Sequence, residues 1–155
     1  MQFINYFFAS IISFLGLLAG VILVEICPEE QKPLERFFNL SRKIILMLVF
    51  LFLFFYYANN IVYALILIGF FLFLLFMQYK ISNLLKKSML TYALLGILFY
   101  LSSKNTNLFV IESSLLFLYG LPAASLMYSR KEKNHYVLLF YNIGFVITAN
   151  LAFFV

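Results

Sequence analysis

The residue with the clearest potential for chemistry is Glu112, a carboxylic acid inside an otherwise apolar stretch. Ionisable groups in such stretches are costly to bury, and they commonly mark the pathways of ions and substrates. Ser113 follows it directly, and Asn59, Lys104 and Asn150 are expected at the same depth of the fold. If the helices turn these side chains toward the interior of the fold, the side chains form a polar pocket that opens at the outer end of the helices. Alternatively, Glu112 reaches the headgroup layer of a membrane or pairs with Lys104.

A second group of acids lies in the longest polar connection of the chain, residues 25–43. Glu29, Glu30 and Glu35 cluster there, and two prolines stiffen the segment. Such an acidic patch is a candidate docking segment for a basic surface on a partner protein. A charge run of this kind is also typical of a solvated turn, in which Glu35 pairs with Arg36 and Lys32.

The rest of the composition excludes most catalytic machinery. The chain contains no Asp, one His and one Cys, so it cannot gather the ligands that a metal site requires. His135 lies in a charged loop and not beside a nucleophile, and no phosphate-binding glycine motif is present. We therefore predict a protein that is not an enzyme and that holds no metal or cofactor.

The elements that must position Glu112 are membrane helices. Of the 155 residues, 65% are hydrophobic and only 11% are charged, and the mean hydropathy is +1.03. Soluble domains carry about 25% charged residues, so this chain lacks the polar surface that water requires. We predict an all-α, polytopic membrane protein, a compact bundle of six transmembrane helices that forms one domain over residues 1–155. The expected spans are 3–24, 44–58, 61–79, 84–101, 108–128 and 137–155.

The distribution of basic residues predicts how this bundle is oriented. With six spans, ten of the eleven Lys and Arg residues lie on one side, and Lys104 lies alone on the other. Basic loops stay in the cytoplasm, so both termini are expected on the outer side of what we take to be a prokaryotic plasma membrane. The net charge of +5 then faces anionic lipid headgroups rather than nucleic acid.

Small residues mark one face of the first helix and predict a close helix contact. Lipid tails are as apolar as leucine, so membrane helices associate where small side chains let backbones approach. The face packs either within the bundle or across a homodimer. The last helix carries a similar set, which favours contact between the two terminal helices. The first-helix face consists of Ala9, Ser13, Gly16 and Gly20, and the last-helix set of Gly144, Thr148 and Ala152.

One segment supports a resemblance. Gly16 and Gly20 are followed by Pro28-Glu29-Glu30, by Lys32-Pro33 and by Phe37-Phe38. This pattern, which covers about a quarter of the chain, resembles small multi-pass membrane proteins of unknown function from archaea. The resemblance implies a multi-pass membrane fold and supplies no activity or site residues.

Two functions remain open at this point. The first is a non-enzymatic membrane component that associates with itself or with another membrane protein, which fits the small-residue faces. The alternative is a small permease or channel with its polar pocket around Glu112. No internal repeat of the kind common in transporters is visible, and charges at membrane depth are scarce. An intramembrane enzyme is the least expected function.

Overall fold

The chain folds into helices joined by short connections. The computed structural model describes residues 2–130 and 135–154. A short 3-10 turn at Pro28–Glu30 separates the first two helices. The helices are α1 (Phe3–Ile26), α2 (Gln31–Tyr57), α3 (Ile61–Lys80), α4 (Leu84–Ser102), α5 (Thr106–Arg130), α6 (His135–Asn142) and α7 (Gly144–Phe153).

Among the described residues, six helical segments are long and apolar enough to cross a membrane, as the sequence predicts. The fourth predicted span is one of them, at Leu84–Ser102. The second predicted span lies within a longer helix, which begins at Gln31 and runs through Pro33. A proline is tolerated there because the first-turn N–H groups of a helix have no intrahelical acceptor.

The helix α5 lies at the centre of the bundle. It packs against α1, α2 and α4, and it is the most buried of the spans. The helix α7 packs mainly on α4, whereas α3 lies at the periphery beside α2 and α4 and is the least buried span. Whatever α5 carries on its inner face is therefore shielded by its neighbours.

Asparagines begin three of the helices and sharpen the connections before them. The Asn60 side chain accepts a hydrogen bond from the Val62 N–H at 3.1 Å, which caps α3 after the turn at Asn59 and Asn60. Asn83 caps α4 in the same way, and Asn105 accepts hydrogen bonds at the start of α5. These caps satisfy N–H groups that would otherwise lack a partner, so short polar connections suffice.

The last predicted span is long and apolar enough to cross a membrane over Tyr136–Phe153, with a one-residue interruption at Ile143 between α6 and α7. The Ile143 N–H donates to the Phe140 carbonyl, three residues back, and not to the Leu139 carbonyl that a regular α-helix would use. The preceding Asn142 amide donates to the Leu138 carbonyl at 2.7 Å and accepts from the Ser88 hydroxyl at 2.7 Å. The Asn142 side chain thus competes with its own N–H for the Leu138 carbonyl.

Candidate functional site

Glu112 lies six residues into α5, about 9 Å along the helix axis. Its side chain is only 1% exposed, and its Oε1 atom has no hydrogen-bond partner among the described residues. Leu116, Tyr119 and Ala123 follow at helical spacing on the same face, and all three are buried. Glu112 is therefore directed into the bundle, toward the face of α5 that its neighbours cover.

Lys104 does not neutralise this carboxyl group. Its amine donates to the Tyr63 hydroxyl at 3.1 Å and lies 4.9 Å from the centre of the Tyr63 ring. No salt bridge to Glu112 accompanies these contacts in the described part of the chain. The hydrogen bond to Tyr63 raises the pKa of Lys104 above its usual 10.5, so the lysine stays charged at this end of the bundle. The simpler interpretation is that Glu112 reaches the headgroups or pairs with Lys104. The burial of Glu112 and the separate partner of Lys104 weigh against it.

The other residues of the predicted pocket have different surroundings. The Ser113 hydroxyl donates to the Phe109 carbonyl within α5, and Asn59 is exposed in the turn between α2 and α3. The Asn150 amide donates to the Ser10 hydroxyl at 3.1 Å, while its buried Oδ1 atom has no described partner. Ser113 and Asn150 have separate hydrogen-bond partners, and a pocket shared by the five residues stays a prediction.

The small-residue face of α1 lies against α5. A Cβ atom added at Gly16 would collide with the backbone carbonyl of Phe117, and one at Gly20 would lie 2.6 Å from the Leu121 oxygen. On α5, a Cβ atom added at Gly120 would likewise collide with the backbone of Gly16. These contacts favour the first of the two alternatives that the sequence leaves open, namely packing within the bundle.

The rest of that face follows the same contact. The Ser13 hydroxyl donates to the Ser113 carbonyl at 3.2 Å, and Ala9 is half-buried. On the last span, Thr148 donates to the Ala93 carbonyl and approaches Gly96, both on α4. The terminal helices do touch, since the Tyr6 hydroxyl donates to the Ala149 carbonyl at 2.8 Å. Gly144 and Thr148 nevertheless face α4 and not α1.

The candidate docking segment forms the connection between α1 and α2. Glu29 and Glu30 are exposed in the 3-10 turn, and Glu35 is half-buried in the first turns of α2. The two turn residues are therefore accessible to a partner, and docking at this segment stays a prediction.

Sequence reasoning missed a polar group on the side of the bundle opposite to Lys104. The rings of Tyr92 and Tyr119 lie 5.6 Å apart, both buried, and the Tyr92 hydroxyl has no described partner. Arg42 is close enough to interact electrostatically with both hydroxyls, and its buried Nε atom also lacks a described partner. The available signal was the spacing of seven residues between Glu112 and Tyr119, which places both on one face of α5.

Comparisons with known proteins assign no family to this chain. No protein-family model, no curated protein and no solved structure matches the chain. Within residues 2–130 and 135–154, no three His, Cys or Glu side chains converge as metal ligands would.

Proposed function

We propose that this multi-pass membrane protein is a small permease in which Glu112 binds the transported cation, the proton being the simplest such cation. The observation that carries the proposal is the buried carboxyl group with an unpartnered oxygen inside a spanning helix. An unpaired carboxyl in such a position destabilises the fold, so its presence is better explained by a role in cation binding than by a contribution to stability.

Further polar groups support a route between Glu112 and the opposite end of the bundle. Tyr119 lies seven residues along α5 from Glu112, about 10.5 Å along the axis, and Tyr92 faces Tyr119. A tyrosine hydroxyl both donates and accepts hydrogen bonds, as a proton relay requires. Arg42 lies within electrostatic reach of both hydroxyls. Polar groups are therefore spaced between the buried acid and the basic side of the molecule, with the apolar Leu116 between Glu112 and Tyr119.

The direct test uses the purified protein in liposomes that enclose a pH-sensitive dye. We expect an imposed potential to drive proton uptake faster than in protein-free liposomes. A hydrophobic carbodiimide, which forms adducts with carboxyl groups in apolar surroundings, should block this uptake, and peptide mass spectrometry should place the adduct on Glu112. A wild-type protein that conducts no cation, or a full block with Glu112 unmodified, contradicts the proposal.

A second candidate, membrane association without transport, is favoured by the periphery of α3. Gly69 lies on this least buried helix, and a Cβ atom added there would meet nothing within 4 Å. A glycine without a packing reason in the bundle suits the close approach of a helix from another chain. Both candidates are non-enzymatic. A cross-linked complex in native membranes, together with liposomes that conduct no cation, would favour association.

We also propose that the basic end of the bundle faces the cytoplasm of a prokaryotic cell, where it meets anionic headgroups, with both termini outside. The element order supports this. Successive spanning helices run in opposite directions, so the ends of α1, α3 and α5 and the starts of α2, α4 and α6 belong to the same side of the bundle. Lys131 and Lys133 lie outside the described residues. The basic residues within the described ranges at this end are Lys32, Arg36, Arg42, Lys43, Lys80, Lys86, Lys87 and Arg130, against Lys104 at the other end.

Single-cysteine labelling tests this orientation. The exposed Cys27 is first replaced by serine, and cysteine is then introduced at Lys104 or Lys86, both of which are exposed. A membrane-impermeant maleimide added to intact cells should label position 104 and leave position 86 unlabelled until the cells are opened. The reverse pattern would contradict the orientation.

A further inference from the structure

A cleft between α2 and α3 is lined entirely by apolar side chains. It has a volume of about 300 Å³ and runs along α2 from Met47 to Phe55 and along α3 from Leu67 to Phe71. Phe50 and Phe71 pack edge to face across it, with ring centres 5.1 Å apart. The cleft lies within two spanning segments, so its open side faces the hydrocarbon of the bilayer.

Two basic side chains, those of Lys43 and Lys87, lie at one end of this cleft. Lys43 lies one helical turn before Met47 on the same face of α2, and both are exposed. The Lys87 amine donates to the Gln78 carbonyl near the end of α3. The helices α2 and α3 run antiparallel and are in contact at Phe50 and Phe71. Lys43 lies seven residues before Phe50 and Gln78 lies seven residues after Phe71, so the two are at the same level along the helices.

The Lys87 amine lies within electrostatic reach of two further positive charges. Arg42 and Lys43 both repel it, and among the described residues no carboxylate acts on this amine. Like charges held together at the membrane surface gain stability from an anion between them, and a lipid phosphate is the anion present there at high local concentration. The positive charges thus complement the phosphate of an anionic phospholipid, and the apolar lining of the cleft complements its acyl chain.

We infer that this place is a binding site for a single anionic phospholipid, with its phosphate between Lys43 and Lys87 and one acyl chain in the cleft between α2 and α3. The site does not involve Glu112 and is independent of the proposed transport. It also gives the loosely packed α3 a ligand that bridges it to α2 and α4.

Native mass spectrometry of the purified protein tests the headgroup part. We expect phosphatidylglycerol to be retained in preference to phosphatidylcholine. The double variant Lys43→Gln, Lys87→Gln should weaken phosphatidylglycerol binding about thirtyfold, given the contribution of each lysine at a membrane surface. The matched control Arg36→Gln, Lys86→Gln removes the same charge from the same end and should bind as the wild type does. Equal retention of both lipids, or an equal loss in both variants, would overturn the inference.

A second pair of variants tests the cleft. Ile68→Trp fills it and should reduce phosphatidylglycerol binding, whereas Val62→Trp adds the same ring on an exposed part of α3 outside the cleft and should not. Glycerol 3-phosphate, which has the headgroup charge without a chain, should bind far more weakly than the lipid. If it binds equally well, the site holds a phosphate group alone and the inference is wrong.

Discussion

Replacing Glu112 by glutamine should reduce cation flux to the leak of protein-free liposomes. The amide has nearly the same shape as the carboxyl group but can neither release a proton nor neutralise a cation. Since Glu112 is buried and its Oε1 lacks a described partner, the change removes no known contact from the fold. We therefore expect the variant to be produced and purified like the wild type, with its transport abolished.

The controls separate the carboxyl group from general charge. Glu30→Gln removes the same charge from an exposed position in the turn before α2 and should conduct like the wild type. Glu112→Asp keeps an acid on a shorter side chain and should retain measurable flux. Wild-type flux in Glu112→Gln would show that the buried acid is not used in transport, whatever else the protein carries.

Gly16→Ala should destabilise the bundle more than its single added methyl group suggests. The new Cβ atom would collide with the Phe117 backbone, which cannot move aside as a flexible side chain would. The helices α1 and α5 must then separate, and overpacking of this kind costs about 1–3 kcal/mol or more. Unfolding in a detergent titration, followed by circular dichroism, measures the loss.

The same substitution at Gly69 provides the matched control. Nothing lies within 4 Å of the added atom there, and alanine is the better helix former, so Gly69→Ala should leave the unfolding free energy unchanged or slightly raised. Equal stability of the two alanine variants would contradict the close contact of α1 with α5. Loss of a complex in a Gly16 variant would report first on this internal contact and only then on self-association.

The sequence was sufficient to predict the spans, because the hydrocarbon thickness that sets their length acts on each helix separately. It did not show which helix covers the face of Gly16, since lipid is as apolar as a protein core and leaves no alternation of buried and exposed residue types. The approach of Arg42 to within electrostatic reach of Tyr92 and Tyr119 depends on the same helix arrangement and was equally hidden.

Two further features depend on single side chains. The burial of Glu112 depends on the rotation of α5, and the sequence left two interpretations open until its neighbours were placed. The interruption at Ile143 directly follows Asn142, whose amide contacts the Leu138 carbonyl in its own helix and Ser88 on α4. An asparagine inside an apolar segment has several acceptors available, and the sequence alone does not select one.

The contact between α1 and α5 has a consequence for the synthesis of the protein. Ser13 bonds to a carbonyl 100 residues further along the chain, so α1 is made long before the helix that covers it. Until α5 enters the membrane, the glycine face of α1 is open to lipid and to other nascent chains. A ribosome that stalls before α5 would therefore leave a fragment prone to pairing with its own copies, a hazard that the finished chain removes by covering the face itself.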